Sequence, residues 1–163
     1  MSATGPSIKR GKSDQDVETP ADFIDALERR FGPIEFDLAA DARTSKGRRG
    51  YIDKARDALT VDWCKAPGVQ TLFCNPPYAL ITPWARKCAE SARNPERQFR
   101  QLLLLVPAAV GSDWFAEWVH GHAGVLALSP RIQFVGHKHG YPRDLLLCIY
   151  GGARYFDTWR WRP

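Results

Sequence analysis

Paired cysteines are missing from this chain: Cys64, Cys74, Cys88 and Cys148 stand far apart with no repeated spacing, which excludes a disulfide framework of the secreted type and leaves a reduced compartment as the expectation. No apolar leader precedes Asp14, and no apolar run approaches the roughly 20 residues that a membrane-spanning helix needs, so a cytoplasmic protein with no membrane partner is expected. His120 with His122 and His137 with His139 have no cysteine or carboxylate at ligand spacing, so no metal site is expected. No segment repeats another. At 163 residues there is room for about one hydrophobic core and none for a second catalytic domain.

What is present is a basic chain with 44% hydrophobic residues and a formal net charge of +5, a balance that suits a polyanionic partner. Residues 1–16 are rich in Ser, Gly, Lys and Asp, bury almost nothing and read as a mobile tail, leaving 17–163 as one domain. Thr19-Pro20 opens a helix that puts Phe23, Ile24, Leu27 and Phe31 on one face and stops at Gly32-Pro33. Residues 34–39 and 72–74 read as strands, the second halted by Pro76 and Pro77, with a polar, basic loop over 41–57 between them.

Thr82-Pro83 opens a second helix reaching about Arg93, with Trp84 and Cys88 four residues apart on one face. Residues 101–106 form a near-continuous apolar run, the pattern of a strand covered on both faces. Ser112 starts a helix with Trp114, Phe115, Trp118 and Val119 turned inward, and residues 125–128, 132–134 and 145–150 supply the last strands. Alternating strands and helices predict an α/β fold with a mostly parallel sheet and antiparallel C-terminal strands.

The four residues Asn75-Pro76-Pro77-Tyr78, directly after an apolar strand, carry the most chemistry. From average residue usage, a tetrad of this type arises by chance in about one chain of this length in two hundred. An exocyclic amine conjugated to a heteroaromatic ring is a poor nucleophile, so a site must hold it and stabilise the positive charge that develops during attack; carbonyl acceptors aimed at its hydrogens do both. Asn75 offers an amide oxygen, and the prolines remove local N–H donors while restricting Asn75 and Pro76 to extended geometry. Tyr78 offers a flat face for a base drawn out of a duplex. The competing structural role for the tetrad is a strand stop followed by a core tyrosine.

The tetrad resembles motif IV of the amino-methyltransferases, and the wider chain is similar to the phage-type DNA N-6-adenine methyltransferase family. The similarity runs through Thr19-Pro20, Phe36-Asp37-Leu38-Ala39-Ala40, Asp57-Ala58-Leu59 to Asp62-Trp63, the tetrad, Leu105-Val106-Pro107, Trp114-Phe115 and Arg131-Ile132-Gln133-Phe134. The resemblance implies a short, Rossmann-like S-adenosylmethionine-dependent methyltransferase fold acting on an adenine flipped out of duplex DNA, in a bacterial host with a phage or prophage setting and a role in restriction and modification. It implies catalytic roles for Asn75, Pro76 and Tyr78. It puts Thr19 and Pro20 at the methionine end of the cofactor, Asp37 on its ammonium, Ala39 along its backbone path, and Asp57 with Leu59 on its adenine; Tyr51 is a candidate lid. Ala39 and Ala40 stand where larger relatives have glycines.

Two basic stretches, Arg43 with Lys46, Arg48 and Arg49, and Arg86 with Lys87, Arg93, Arg97 and Arg100, are candidate phosphate contacts, with solvated faces as the alternative. The first of them is expected to border the cleft that receives the adenine, since it lies between Asp37 and Asp57. Trp159, Arg160, Trp161 and Arg162 are read chiefly as packing on the sheet, and base reading is left to the loops and a C-terminal hairpin. Two other functions fit the same residues: an amino-group methyltransferase acting on RNA adenine or a protein glutamine, and a non-catalytic nucleic-acid-binding relative.

Overall fold

The computed structural model describes residues 17–53, 56–65 and 68–163, so the expected tail lies outside the described residues. Helix α1 (Ala21–Phe31) begins after Pro20, whose extended backbone and missing N–H suit the position; the Pro20 carbonyl accepts the Ile24 N–H at 3.2 Å. Thr19 makes no side-chain cap. The helix ends at Gly32, whose φ of 89° is a glycine conformation and whose N–H reaches the Glu28 carbonyl at 3.0 Å.

Among the described residues, seven strands form one sheet: β1 (Phe36–Asp37), β2 (Gly50–Tyr51), β3 (Thr71–Cys74), β4 (Gln101–Pro107), β5 (Ala123–Ser129), β6 (Leu145–Tyr150) and β7 (Phe156–Arg160). Their order across the sheet is β2-β1-β3-β4-β6-β5-β7, and only β6 runs against the rest. The expected α/β layer with a mostly parallel sheet is therefore present, with the reversal confined to one strand. Three local expectations change. The strand expected over 34–39 shortens to β1, β2 emerges inside the expected loop, and residues 132–134 form no strand but lie in the connection from β5 to β6. The closing strands β5 and β6 pair antiparallel as expected, and a further strand, β7, pairs parallel with β5 at the sheet edge.

Alternation along the strands builds two apolar layers. Leu72, Cys74, Leu102, Leu104 and Val106 pack under α2 (Ile81–Arg93) and α3 (Asp113–Trp118), while Phe73, Leu103 and Leu105 pack with Phe23 and Leu27 of α1. Leu102 to Val106 are all fully buried, which is why that stretch has no polar face, and each such side chain contributes roughly 1.5–3 kcal/mol. Trp84 and Cys88 share the buried face of α2; in α3 Phe115 is buried, while Trp114 and Trp118 are half-buried. Trp161 is buried edge-on to Phe23 at 5.1 Å between centroids, and Trp159 packs against Phe23 and Phe31, so both tryptophans cover the sheet as expected.

The order of β2, β1 and β3 positions the site. The chain leaves β1 to form β2 on one side and then crosses back to form β3 on the other, so a crevice opens beyond the carboxyl ends of β1 and β3. Among the described residues, no helix is long and apolar enough to cross a membrane.

Candidate active site

Asn75 is the first residue beyond β3. Its side-chain Nδ2 donates to the Val17 carbonyl at 3.3 Å and to Thr19 Oγ1 at 3.1 Å. A backbone carbonyl only accepts, so the first of these contacts fixes which end of the amide is nitrogen. The other end, Oδ1, is buried and has no partner among the described residues, a costly state for an acceptor unless a ligand supplies the donor. Pro76 is buried and Pro77 is half-buried, and the Pro77 carbonyl accepts the Leu80 N–H at 3.3 Å as the chain turns into a short 3-10 segment (Tyr78–Leu80) leading to α2. The Tyr78 hydroxyl is likewise buried without a partner, and its burial pushes its pKa well above the usual phenol value. Its ring meets Tyr141 edge-on at 5.7 Å, and Tyr141 in turn meets Phe134 at 5.5 Å.

Asp37 ends β1 and is 3% exposed. Its Oδ1 accepts the Ala39 N–H at 3.2 Å and its Oδ2 the Lys46 N–H at 3.0 Å, so the carboxylate ties together the two ends of the loop that follows β1. Burial outweighs these bonds and pushes the Asp37 pKa up to about 6. Gly47 lets that loop return across β1: a Cβ there would lie 2.6 Å from the Asp37 nitrogen and collide with the Gly50 carbonyl. Close approach of backbone to backbone, not a turn, demands this glycine.

The loop forms one wall of a cavity of about 550 Å³, within the range of sites for cofactor-sized ligands. Ala39, Ala40, Asp41, Arg43 and Thr44 come from the loop, Ile52 and Asp53 from the exit of β2, Asp57 and Ala58 from the next turn, and Asn75 and Pro77 from the exit of β3. Glu18 closes one side, accepting from Lys46 Nζ at 2.9 Å and Arg43 Nη1 at 3.4 Å. Asp41 is held ionised, below the usual carboxylate range, first by the Thr44 N–H, then by the Thr44 hydroxyl and the Arg43 N–H. Asp57 adopts a φ of 44°, a conformation aspartate tolerates, and its Oδ1 accepts the Leu59 N–H at 3.2 Å. Among the described residues, four carboxylates and one guanidinium line the cavity.

Of the residues expected to bind cofactor, Ala39 and Asp57 are on the cavity wall, joined there by Asn75. Thr19, Pro20, Asp37 and Leu59 are not. Thr19 holds the Asn75 amide, Asp37 faces into the loop, and half-buried Leu59 packs on the core while its carbonyl accepts Lys87 Nζ at 2.7 Å. Tyr51 lies on β2 outside the wall, and Pro76 and Tyr78 stand behind Asn75 rather than on the cavity. Sequence reasoning missed Glu18, Asp41 and Asp53. The signal for Asp53 was an acid just past a strand, but a two-residue strand leaves no pattern to read.

The basic stretch at Arg48 and Arg49 is a correction. These residues precede β2, at the amino edge of the sheet, opposite the edge that carries Asn75. Arg48 pairs with Glu28 at 2.5 Å, and Arg49 donates to the Gly68 carbonyl at 2.8 Å. The second stretch is largely engaged by the chain itself: Arg86 stands over Trp118, Lys87 over Trp63, and Arg97 donates to the Ala92 and Gly151 carbonyls.

The chain has a doubly wound α/β sheet with its acidic cavity at the switch point, where sheets of this class place their ligands. The family profile described as DNA N-6-adenine-methyltransferase (Dam) matches residues 7–145, and the chain belongs to that family. No curated protein matches the chain. Among solved structures it is similar to the crystal structure of a predicted O-methyltransferase, protein Atu636 from Agrobacterium tumefaciens, at 20% identity and a TM-score of 0.31, over 54% of this chain. The chain spans only 39% of that structure's own chain.

Proposed function

We propose that the protein methylates the N6 amine of an adenine extruded from duplex DNA, using S-adenosylmethionine. The observation that carries this reading is Asn75 on the wall of the acidic cavity, its amide nitrogen held by Val17 and Thr19 and its Oδ1 buried without a partner among the described residues. Family membership supports the same reaction class.

The cavity suits the cofactor by charge and size. S-adenosylmethionine is cationic at its sulfonium and ammonium groups, and Glu18, Asp41, Asp53 and Asp57 supply the negative field while Arg43 can meet a carboxylate. We assign Asp53, past the end of β2, to the ribose hydroxyls and Asp57 to the amino group of the cofactor's adenine, since both line the cavity. Ala39 and Ala40 line the cavity at the position where larger relatives have glycines. The bound cofactor supplies an electrophilic methyl group. Asn75 Oδ1 accepts an N6 hydrogen, holds the amine in line and stabilises the positive charge that develops on nitrogen. The contacts to Val17 and Thr19 already fix the orientation of the amide.

The test is methylation of matched DNA, RNA and protein substrates, with N6-methyladenine read by mass spectrometry and S-adenosylmethionine affinity by calorimetry. Methylated adenine in duplex DNA is expected, lost in Asn75→Ala with cofactor affinity retained. Transfer only to RNA or protein, or no cofactor binding, refutes the reading.

A further inference from the structure

Moving Arg48 and Arg49 to the far edge of the sheet leaves open which element meets DNA beside Asn75. β5 runs parallel with β3 and β4, so the connection that leaves it, residues 130–144, emerges at the same carboxyl edge as Asn75. Its 15 residues contain no helix or strand, and compact loops of that length with close ends are commonly functional.

The loop has a fixed stem and an exposed tip. Ile132 and Phe134 are buried in the layer under α1. The Tyr141 N–H donates to the Ile132 carbonyl at 2.7 Å, and Arg131 Nε pairs with Asp144 at 2.8 Å, closing the neck. Two contacts join the stem to the site: Tyr141 against Tyr78, and the Val135 N–H to the Glu18 carbonyl at 3.1 Å, in the same stretch of chain whose Val17 and Thr19 hold Asn75. Beyond the stem, residues 135–140 are all exposed, with Gly136 at a φ of 84° turning the tip. That tip reads Val135-Gly136-His137-Lys138-His139-Gly140, followed by Arg143, and no carboxylate interrupts it before Asp144. Among the described residues, Lys138 and Arg143 have no ion pair, unlike Arg43 and Lys46 on the cavity side.

We propose that this loop is the DNA-reading finger of the enzyme, its stem braced on Tyr78 and its His137-Lys138-His139 tip entering the groove beside the extruded adenine. The inference rests on the DNA reading above. Histidine and lysine donors match the acceptor edge that guanine presents in the major groove, Val135 (52% exposed) offers an apolar contact to a base edge, and Arg143 is placed for a phosphate. Stem contacts transmit the finger's register on the duplex to the site where the base must arrive.

The experiment compares the full chain with the triple variant His137→Ala/Lys138→Ala/His139→Ala on a pool of duplexes carrying one adenine in randomised flanks, sequenced for methylated products. The variant is expected to bind S-adenosylmethionine normally and to lose discrimination at one or two flanking positions by about ten-fold or more. Arg143→Ala is expected to weaken binding on all sequences alike and flatten the slope of log affinity against log salt by roughly 0.9. An unchanged flanking preference in the triple variant, or a uniform loss of affinity with preference intact, overturns the finger while leaving the methyltransferase reading standing. A parent chain that methylates no DNA overturns both.

Discussion

Replacing Asp37 by asparagine isolates what burial of a charge costs this fold and which way that cost depends on pH. The carboxylate is 3% exposed, and its pKa rises from the ordinary 3.8 to about 6 because desolvation outweighs the bonds from the Lys46 and Ala39 N–H groups and the charge of Lys46. A carboxyl that binds its proton more tightly when folded contributes its full stability below about pH 4 and loses it as pH rises through 6. The interval from 3.8 to about 6, at about 1.4 kcal/mol per tenfold, amounts to roughly 3 kcal/mol. The substituted amide cannot titrate, and it surrenders one acceptor, so the variant's absolute stability is offset by a lost hydrogen bond of about 1–3 kcal/mol. The offset is the same at every pH; the slope is the test. Urea midpoints for both proteins from pH 4 to pH 7 should show the variant gaining roughly 2–3 kcal/mol on the parent across that interval. A flat difference would mean that Asp37 is not desolvated, and a difference of opposite sign would mean that it is held as an anion by a partner, as a cofactor ammonium would hold it.

Four further outcomes follow from the site. Asn75→Ala should lower turnover by about two orders of magnitude or more while calorimetry shows cofactor affinity nearly unchanged. Thr19→Val should lower kcat with little effect on cofactor affinity, and Thr19→Ser should restore it, because the hydroxyl holds the Asn75 amide rather than the cofactor; weakened cofactor binding in the valine variant would return Thr19 to the cofactor pocket. Asp53→Ala and Asp57→Ala should each weaken S-adenosylmethionine binding by roughly 1–3 kcal/mol; circular dichroism should show Asp53→Ala folded as the parent is, and Asp57→Ala folded with a lower Tm, since alanine is strained at a φ of 44° and gives up the bond from the Leu59 N–H. Gly47→Ala should be severely destabilised, seen as a fall in Tm, since the new methyl meets backbone at both Asp37 and Gly50.

The elements read most accurately from sequence are those whose side chains report their surroundings over several residues. The apolar run that becomes β4 and the one-faced helices α1 and α2 appear close to where expected, since burial on two faces and burial on one leave different periods. β1 and β2 escape that logic: two residues of pairing are specified by neighbours from β3 and by the Gly47 crossing, not by local pattern. Residues 132–134 mislead for the opposite reason. Ile132 and Phe134 alternate with Gln133 as a strand would, yet the alternation anchors a loop stem, because inward apolar residues stabilise an irregular segment as well as a regular one.

The acids show where chemical reading of a sequence needs geometry. Asp37 has the position in the chain that the resemblance assigns to a cofactor ligand, but its oxygens are turned back onto the Ala39 and Lys46 amides, while Glu18, Asp41 and Asp53 reach the cavity from segments with no recognisable motif. The distinction follows from strand ends. A side chain that is the last of a buried strand points into a layer already filled, and a carboxylate there must be satisfied by the nearest backbone donors; a side chain one or two residues further on has left the layer and faces the crevice. Asn75 is the first residue past β3 and Asp53 the second past β2, and both line the cavity; Asp37 is still within β1, and it does not. The tetrad was legible because its prolines end the strand at a known residue and so place Asn75 outside it. Where no proline marks the strand end, counting residues in the sequence cannot tell the acid that shapes the loop from the acid that lines the cavity.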